Sequence, residues 1–153
     1  MRSPTECQRR RTGFNNLARA IVVSEFLNNP CFQRDISNAN AKPWKLHDAL
    51  KYRSTILGYT LTVPAGYRTD LASVPWFFRR FFPQDGPWTL AAVVHDYLCD
   101  KRFADIDNLK AAAIFREAMD VLHVPTWKLN IMYYAVRLFG PRWNQLTEAE
   151  GGN

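Results

Sequence analysis

The chain carries 153 residues, 47% of them hydrophobic and 14% aromatic, with 20 Lys+Arg against 14 Asp+Glu and a formal net charge of +6. That length and apolar content suffice for one core in one domain, and no apolar run reaches the ~20 residues that a membrane span needs. The basic excess is compatible with nucleic acid, an anionic membrane surface or an acidic partner, and selects none of them.

Residues 1–16 are polar and hold the block Arg9-Arg10-Arg11, which reads as a flexible basic arm. A single domain over 17–145 and a polar tail over 146–153 complete the expected organisation. Ala20 to Phe26 is a β-branched run stopped by Asn28-Asn29-Pro30, and Asp35 to Pro43 is a Ser/Asn loop. Trp44 to Tyr52 and Ile56 to Val63 read as strands, the second alternating through Tyr59 and Leu61 with Gly58 as a bulge. Pro64-Ala65-Gly66 then turns the chain. Thr69, Asp70 and Ser73 are capping or turn residues, and Pro75 suits the first position of a short helix over Trp76 to Phe82. That helix sets Phe77, Phe78, Phe81 and Phe82 against Arg79 and Arg80, as a core face or as a wedge for a lipid headgroup layer.

A second helix carries His95 and ends near Asp100 and Lys101. A third spans about Ala104 to Leu122, with an apolar stripe through Leu109, Ala112, Ile114, Phe115, Ala118, Met119 and Leu122. Pro125 opens a fourth through Leu138, closed by Gly140-Pro141. Strands first and helices second predict an α+β fold, a small antiparallel sheet followed by three to four packed helices. Cys7, Cys31 and Cys99 are odd in number, far apart and without a C-x-x-C pairing. They argue against a disulfide framework or a zinc knuckle and for a chain kept in a reducing cytoplasm, with no signal peptide.

The candidate site lies in the run Leu90-Ala91-Ala92-Val93-Val94-His95-Asp96-Tyr97-Leu98-Cys99-Asp100. An imidazole and a carboxylate on an otherwise apolar helix cost several kcal/mol unless each finds a partner, so the pair is a satisfied network or a site. Adjacent helical residues leave the axis about 100° apart, so His95 and Asp96 serve different partners. His95 can face another helix as a base, while Asp96, with Asp100 one turn later, can ligate a hard cation. Oxygen ligands with a single histidine suit calcium or magnesium better than zinc. In the structural alternative Asp70 caps a helix, His95 bonds a carbonyl or Asp70, and Asp96 pairs with Arg68 or Arg102. His47-Asp48 repeats the dipeptide in a strand-edge context and reads as structural, and His123 only ends a helix.

Three ordered blocks between Trp44 and Gly140 resemble a bacterial and phage family, domain-of-unknown-function family 1353: Val63 to Val74-Pro75, Ala91 to Leu98, and Met132 to Gly140. The resemblance implies an α+β domain in a phage or prophage setting, in the host cytoplasm or the virion, without a settled activity. Ala91-Ala92-x-x-His95-Asp96 also resembles the active helix of phospholipases A2. There the histidine activates water, the aspartate binds calcium, and an aspartate on an antiparallel helix holds the histidine's far nitrogen. Carried over, His95 is the base and Asp96 a calcium ligand, and in a metal-assisted hydrolase Asp70 or Asp100 is a further ligand. The orienting aspartate falls at Ala112, so a shifted Asp105 takes its role, and only Gly66 to Asp70 can stand for the calcium loop.

Three function classes fit. A calcium-assisted hydrolase requires Asp70, His95 and Asp96 to converge on a solvent-reachable pocket. A phage virion or assembly protein, binding other phage proteins through the basic arm and the aromatic helices, requires the same residues buried and paired with exposed apolar area elsewhere. A nucleic-acid or host-factor binder rests on charge alone, since no nucleic-acid motif is present.

Overall fold

A computed structural model describes residues 23–34, 42–69 and 86–140. The N-terminal half holds six short strands: β1 (Glu25–Phe26), β2 (Phe32–Arg34), β3 (Trp44–Leu46), β4 (Leu50–Arg53), β5 (Thr60–Val63) and β6 (Arg68–Thr69). Three helices follow: α1 (Thr89–Lys101), α2 (Asn108–Val121) and α3 (Thr126–Phe139). The α+β expectation holds, with three helices among the described residues. The predicted basic arm, the Trp76 to Phe82 helix and the polar tail lie outside the described residues.

Instead of one sheet, the described residues form two, both antiparallel, ordered β1-β4-β5 and β2-β3-β6. The alternation Leu50-Lys51-Tyr52-Arg53 pairs with Thr60-Leu61-Thr62-Val63 so that Leu50 faces Val63 and Tyr52 faces Leu61 across the ladder. All four are buried, and the alternate residues face water. Period two thus sends one face of the hairpin to the core. The run expected as one strand from Trp44 to Tyr52 breaks at His47-Asp48-Ala49. There the His47 amide donates to the Cys31 carbonyl at 2.9 Å, and Leu46 and Leu50 both end fully buried on different sheets. Gly58 is not a bulge. It sits at φ +77 in the β4–β5 turn and donates to the Ser54 carbonyl at 3.0 Å.

In α1, Ala91 through His95 and Leu98 are buried, a broad apolar face that packs on α2. Thr89 closes its start by bonding Gly86, and Arg102 at φ 45 ends it, its amide donating to the Leu98 carbonyl at 3.0 Å. In α2, Ala111, Ile114, Phe115, Ala118 and Met119 form the buried stripe, and the helix packs on both α1 and α3. Helix α2 starts at Asn108, four residues later than the expected Ala104. Asp107 caps it by accepting from the Lys110 amide at 2.7 Å, and Ile106 is buried in the turn before it. His123 lies at φ 54 in the α2–α3 turn, just past the helix end, where the sequence placed it. Cys31 is disulfide-bonded and Cys99 is free, so the expectation of unpaired cysteines fails at Cys31. Among the described residues no helix is long and apolar enough to cross a membrane.

Candidate functional site

His95 sits midway along α1 with 4% of its surface exposed. Its ring lies 5.2 Å from that of Phe115 on α2. One turn on, Cys99 Sγ is 3.7 Å from Nδ1 and 3.6 Å from Nε2. A single atom nearly equidistant from two ring nitrogens that flank Cε1 lies on the lone-pair axis of neither. Among the described residues, then, no nitrogen or oxygen partners the imidazole. Burial lowers its pKa from 6.5 to about 4, so it is neutral at physiological pH.

Asp96 points elsewhere, as the 100° spacing requires, and accepts a hydrogen bond from Thr69 Oγ1 on β6. Asp100 lies on the same face of α1. It accepts from Lys42 Nζ at 2.5 Å and from the Tyr67 hydroxyl at 2.8 Å. Burial pulls the Asp100 carboxyl upward, but the Lys42 and Tyr67 hydrogen bonds outweigh it and leave the pKa below its ordinary value. Tyr67 is driven the other way, first by burial and then by Asp100. The Tyr67 ring also meets that of Tyr97 edge-on at 5.2 Å. These carboxylates tie α1 to the β2-β3-β6 sheet.

The other proposed site residues do not join them. Asp105 is not on a helix. It lies in the turn before α2, 59% exposed at its side chain and 3.8 Å from Lys110 Nζ, because the Asp107 cap delays the helix. The position one turn before Phe115 on the side of α2 that meets His95 is held by Ala112, buried and without a polar group. Asp70 lies outside the described residues. Gly66, proposed as part of a calcium loop, instead spends its amide on the Leu46 carbonyl at 2.7 Å. The His47 and Asp48 side chains lie 3.5 Å apart and largely exposed, in the corner between β3 and β4. Among the described residues no three His, Cys, Asp or Glu side chains converge as a metal group.

The densest polar cluster among the described residues escaped the sequence reading. Glu117 on α2 accepts from Ser24 Oγ and Ser54 Oγ at 2.5 Å each, the Tyr52 hydroxyl at 2.8 Å, and the amides of Thr55 and Ile56 at 3.0 and 3.2 Å. Thr55 Oγ1 adds a sixth donor. Burial raises the Glu117 pKa, and the hydroxyl donors more than reverse that, leaving it below the ordinary value. The only local signal was Ser54-Thr55 beside a strand tyrosine. Next to it an open cavity of about 370 Å³ is lined by Arg116, Glu117, Asp120 and Tyr133, with none of the His95 group. The Arg116 guanidinium lies 5.2 Å over the Tyr133 ring.

Helix α3 buries Leu129, Met132, Ala135 and Val136. Its other face exposes Trp127 at 59%, Ile131 at 36%, Tyr134 at 53% and Leu138 at 56%. Steps of four, three and four residues stack these side chains in one stripe. At 100° per residue, Lys128 and Arg137 fall on opposite flanks of that stripe, and α3 carries no acidic residue.

Comparison with known proteins adds a family and no activity. The family described as "Protein of unknown function (DUF1353)" matches residues 44–136. The chain is similar to "Uncharacterized protein y4jT" of Sinorhizobium fredii, 34% identical over 93 residues that cover 60% of this chain and 27% of that one. It is also similar to "Uncharacterized protein y4iH" of the same organism, 32% identical over 85 residues that cover 54% of this chain and 35% of that one. The matched stretch thus spans only about a quarter to a third of these relatives. No solved structure matches.

Proposed function

The chain belongs to the DUF1353 family of proteins of unknown function, and we propose that it is a non-enzymatic interaction protein of phage or prophage type. It docks through the outer face of α3 onto an acidic amphipathic helix of a partner protein. The observation that carries this is the exposed stripe Trp127, Ile131, Tyr134 and Leu138 with a cation on each flank. Isolated exposed apolar residues are ordinary, but four in register on one helix face form a patch of the kind that marks an interface. Flanking cations without any anion favour an acidic partner over a basic one. The carboxylates on α1 support the same reading, because Asp96 and Asp100 already bond Thr69, Lys42 and Tyr67. The phage setting rests on the sequence resemblance.

The test uses a labelled helical peptide with leucines on one face and glutamates on both flanks, titrated with the full chain and followed by fluorescence anisotropy. Binding is expected to weaken at least tenfold in Ile131→Asn and Tyr134→Ser, about 1.4 kcal/mol each, with melting temperatures unchanged. Equal binding by wild type and variants overturns the reading. So does binding only to anionic vesicles, or self-association that the same substitutions abolish, since each assigns the face to another occupant.

The hydrolytic reading keeps one supporting observation, the neutral imidazole of His95 without a nitrogen or oxygen partner among the described residues. Calcium calorimetry on wild type and Asp96→Asn separates it from the interaction reading. Binding that disappears in Asp96→Asn without unfolding favours the hydrolase, and no heat in wild type removes it.

A further inference from the structure

We propose that the Arg137 flank of α3 is a carboxylate subsite, in which Arg116 and Arg137 together receive one acidic side chain of the partner helix beside Tyr133. The subsite rests on the docking face proposed above, and it fixes which flank of that face reads the partner's charge.

Tyr133 brings the two cations together. It lies one turn before Arg137 on α3, and Arg137 Nη1 stands 3.4 Å from its hydroxyl. From α2, the Arg116 guanidinium lies over its ring at 5.2 Å. Two like charges gathered on one neutral side chain repel each other, and the ring attracts a cation without cancelling its charge. Elsewhere Lys42, Arg53 and Lys110 each meet a carboxylate. Arg116 and Arg137 form no ion pair among the described residues, and Glu117, which lines the cavity beside Arg116, is spent on its six donors. Both arginines are exposed, so an outside anion can reach them.

Position joins these arginines to the docking face. The Tyr133 ring meets that of Tyr134 edge-on at 5.3 Å, and Tyr134 belongs to the exposed stripe. The open cavity of about 370 Å³ that Arg116 and Tyr133 line gives a side chain room to enter. A guanidinium fork matches the two oxygens of a carboxylate, and two such forks converge here. The opposite flank differs. Its Lys128 ammonium is a single point charge lying 5.2 Å over the Trp88 ring and 5.3 Å over that of Trp127. Asp120, one turn after Arg116 on α2, lines the same cavity, and its negative charge opposes an incoming carboxylate.

The test titrates the full chain into two peptides, the one with leucines on one face and glutamates on both flanks, and a copy with glutamine at every glutamate position. Wild type is expected to bind the glutamate peptide at least about tenfold more tightly. Arg116→Gln and Arg137→Gln should each weaken that peptide about fivefold and leave the glutamine peptide unaffected. Lys128→Gln should weaken it less than about twofold, and Asp120→Asn should tighten it about twofold by removing a like charge. Melting temperatures show that each variant folds, and Arg116→Met serves if Arg116→Gln does not. Equal losses for both peptides would assign the arginines to packing around Tyr133 and overturn the subsite. Wild-type affinity in both arginine variants, or a larger loss in Lys128→Gln, overturns it as well. In each of these outcomes Ile131→Asn still weakens binding and the docking face stands. If wild type binds neither peptide, the docking face and the subsite fall together.

Discussion

Two polar regions sit on either side of the helical core and meet the cost of burial in opposite ways. Glu117, where α2 meets the β4–β5 turn, collects six donors from Ser24, Tyr52, Ser54, Thr55 and Ile56. His95, between α1 and α2, is buried more deeply and has only the Cys99 sulfur and the Phe115 ring beside it among the described residues. A fully satisfied carboxylate fastens elements together. An imidazole whose hydrogen-bonding neighbour is one weak thiol costs stability, and a fold retains such a cost where something other than stability depends on it. Residue type alone would have ranked these two the other way, since a histidine beside an aspartate draws the eye and a lone glutamate does not.

The largest effect that can break this contrast is expected at Glu117. Glu117→Ala leaves the Tyr52 and Ser54 hydroxyls and the Ile56 amide without their acceptor, and should cost about 3 kcal/mol in urea unfolding at unchanged m-value. A loss within about 0.5 kcal/mol of wild type would mean that water replaces the carboxylate and that the cluster fastens nothing. The pH dependence has a definite sign. Glu117 has a folded pKa below its ordinary value of 4.5, so its stabilisation is complete above that value and is lost as the pH falls below it. Glu117→Gln should be flat through that window.

For His95 the window lies higher. Its pKa falls from 6.5 to about 4 on folding, so protonation favours the unfolded chain. Wild type should lose stability as the pH drops from 6.5 toward 4, by about 3 kcal/mol in all, while above 6.5 the residue contributes no slope. His95→Leu removes this dependence. At pH 7 it should also stabilise the protein by about 1 kcal/mol, because an unpaired buried polar group gives way to an apolar one of similar size. A loss of stability at pH 7 instead would show that the imidazole is satisfied and would place it in the same class as Glu117.

What the sequence revealed follows the range of the interactions involved. Helix α1, the apolar stripe of α2 apart from the exposed Leu109, and the Leu61-Val63 alternation of β5 were legible, because 3.6- and 2-residue periods are local. So was the divergence of His95 and Asp96, which follows from the helical angle alone. The split into two sheets was not legible, since the corner at His47-Asp48-Ala49 is fixed by a hydrogen bond from the His47 amide to the Cys31 carbonyl, sixteen positions away. Asp105 was misplaced because a rival cap at Asp107 delayed the helix. Glu117 was missed because its donors come from Ser24 and from Tyr52 to Ile56, more than sixty positions off along the chain. The outer face of α3 was half visible: Met132 to Gly140 was recognised as a block, but only the packing of α3 on α2 decides which of its two apolar faces is left outside.

The smallest effect sharpens the contrast at its other end. Asp100, like Glu117, has a pKa held below its ordinary value by hydrogen bonds that outweigh burial, yet its ion pair with Lys42 is 39% and 41% exposed on the two side chains. Water competes for both partners there, and exposed pairs of this kind contribute about 0.5 kcal/mol. Asp100→Asn, which keeps an acceptor for the Tyr67 hydroxyl, should therefore shift the urea midpoint far less than Glu117→Ala and should lose most of its effect at 1 M salt. If Asp100→Asn proved as costly as Glu117→Ala, exposure would not be what separates the two carboxylates. The joint between α1 and the β2-β3-β6 sheet would then be as strong a fastener as the one at Glu117. A small, salt-sensitive effect leaves α1 held mainly by its apolar surface, and leaves Asp100 and Asp96 as sources of negative charge beside Cys99 more than as braces.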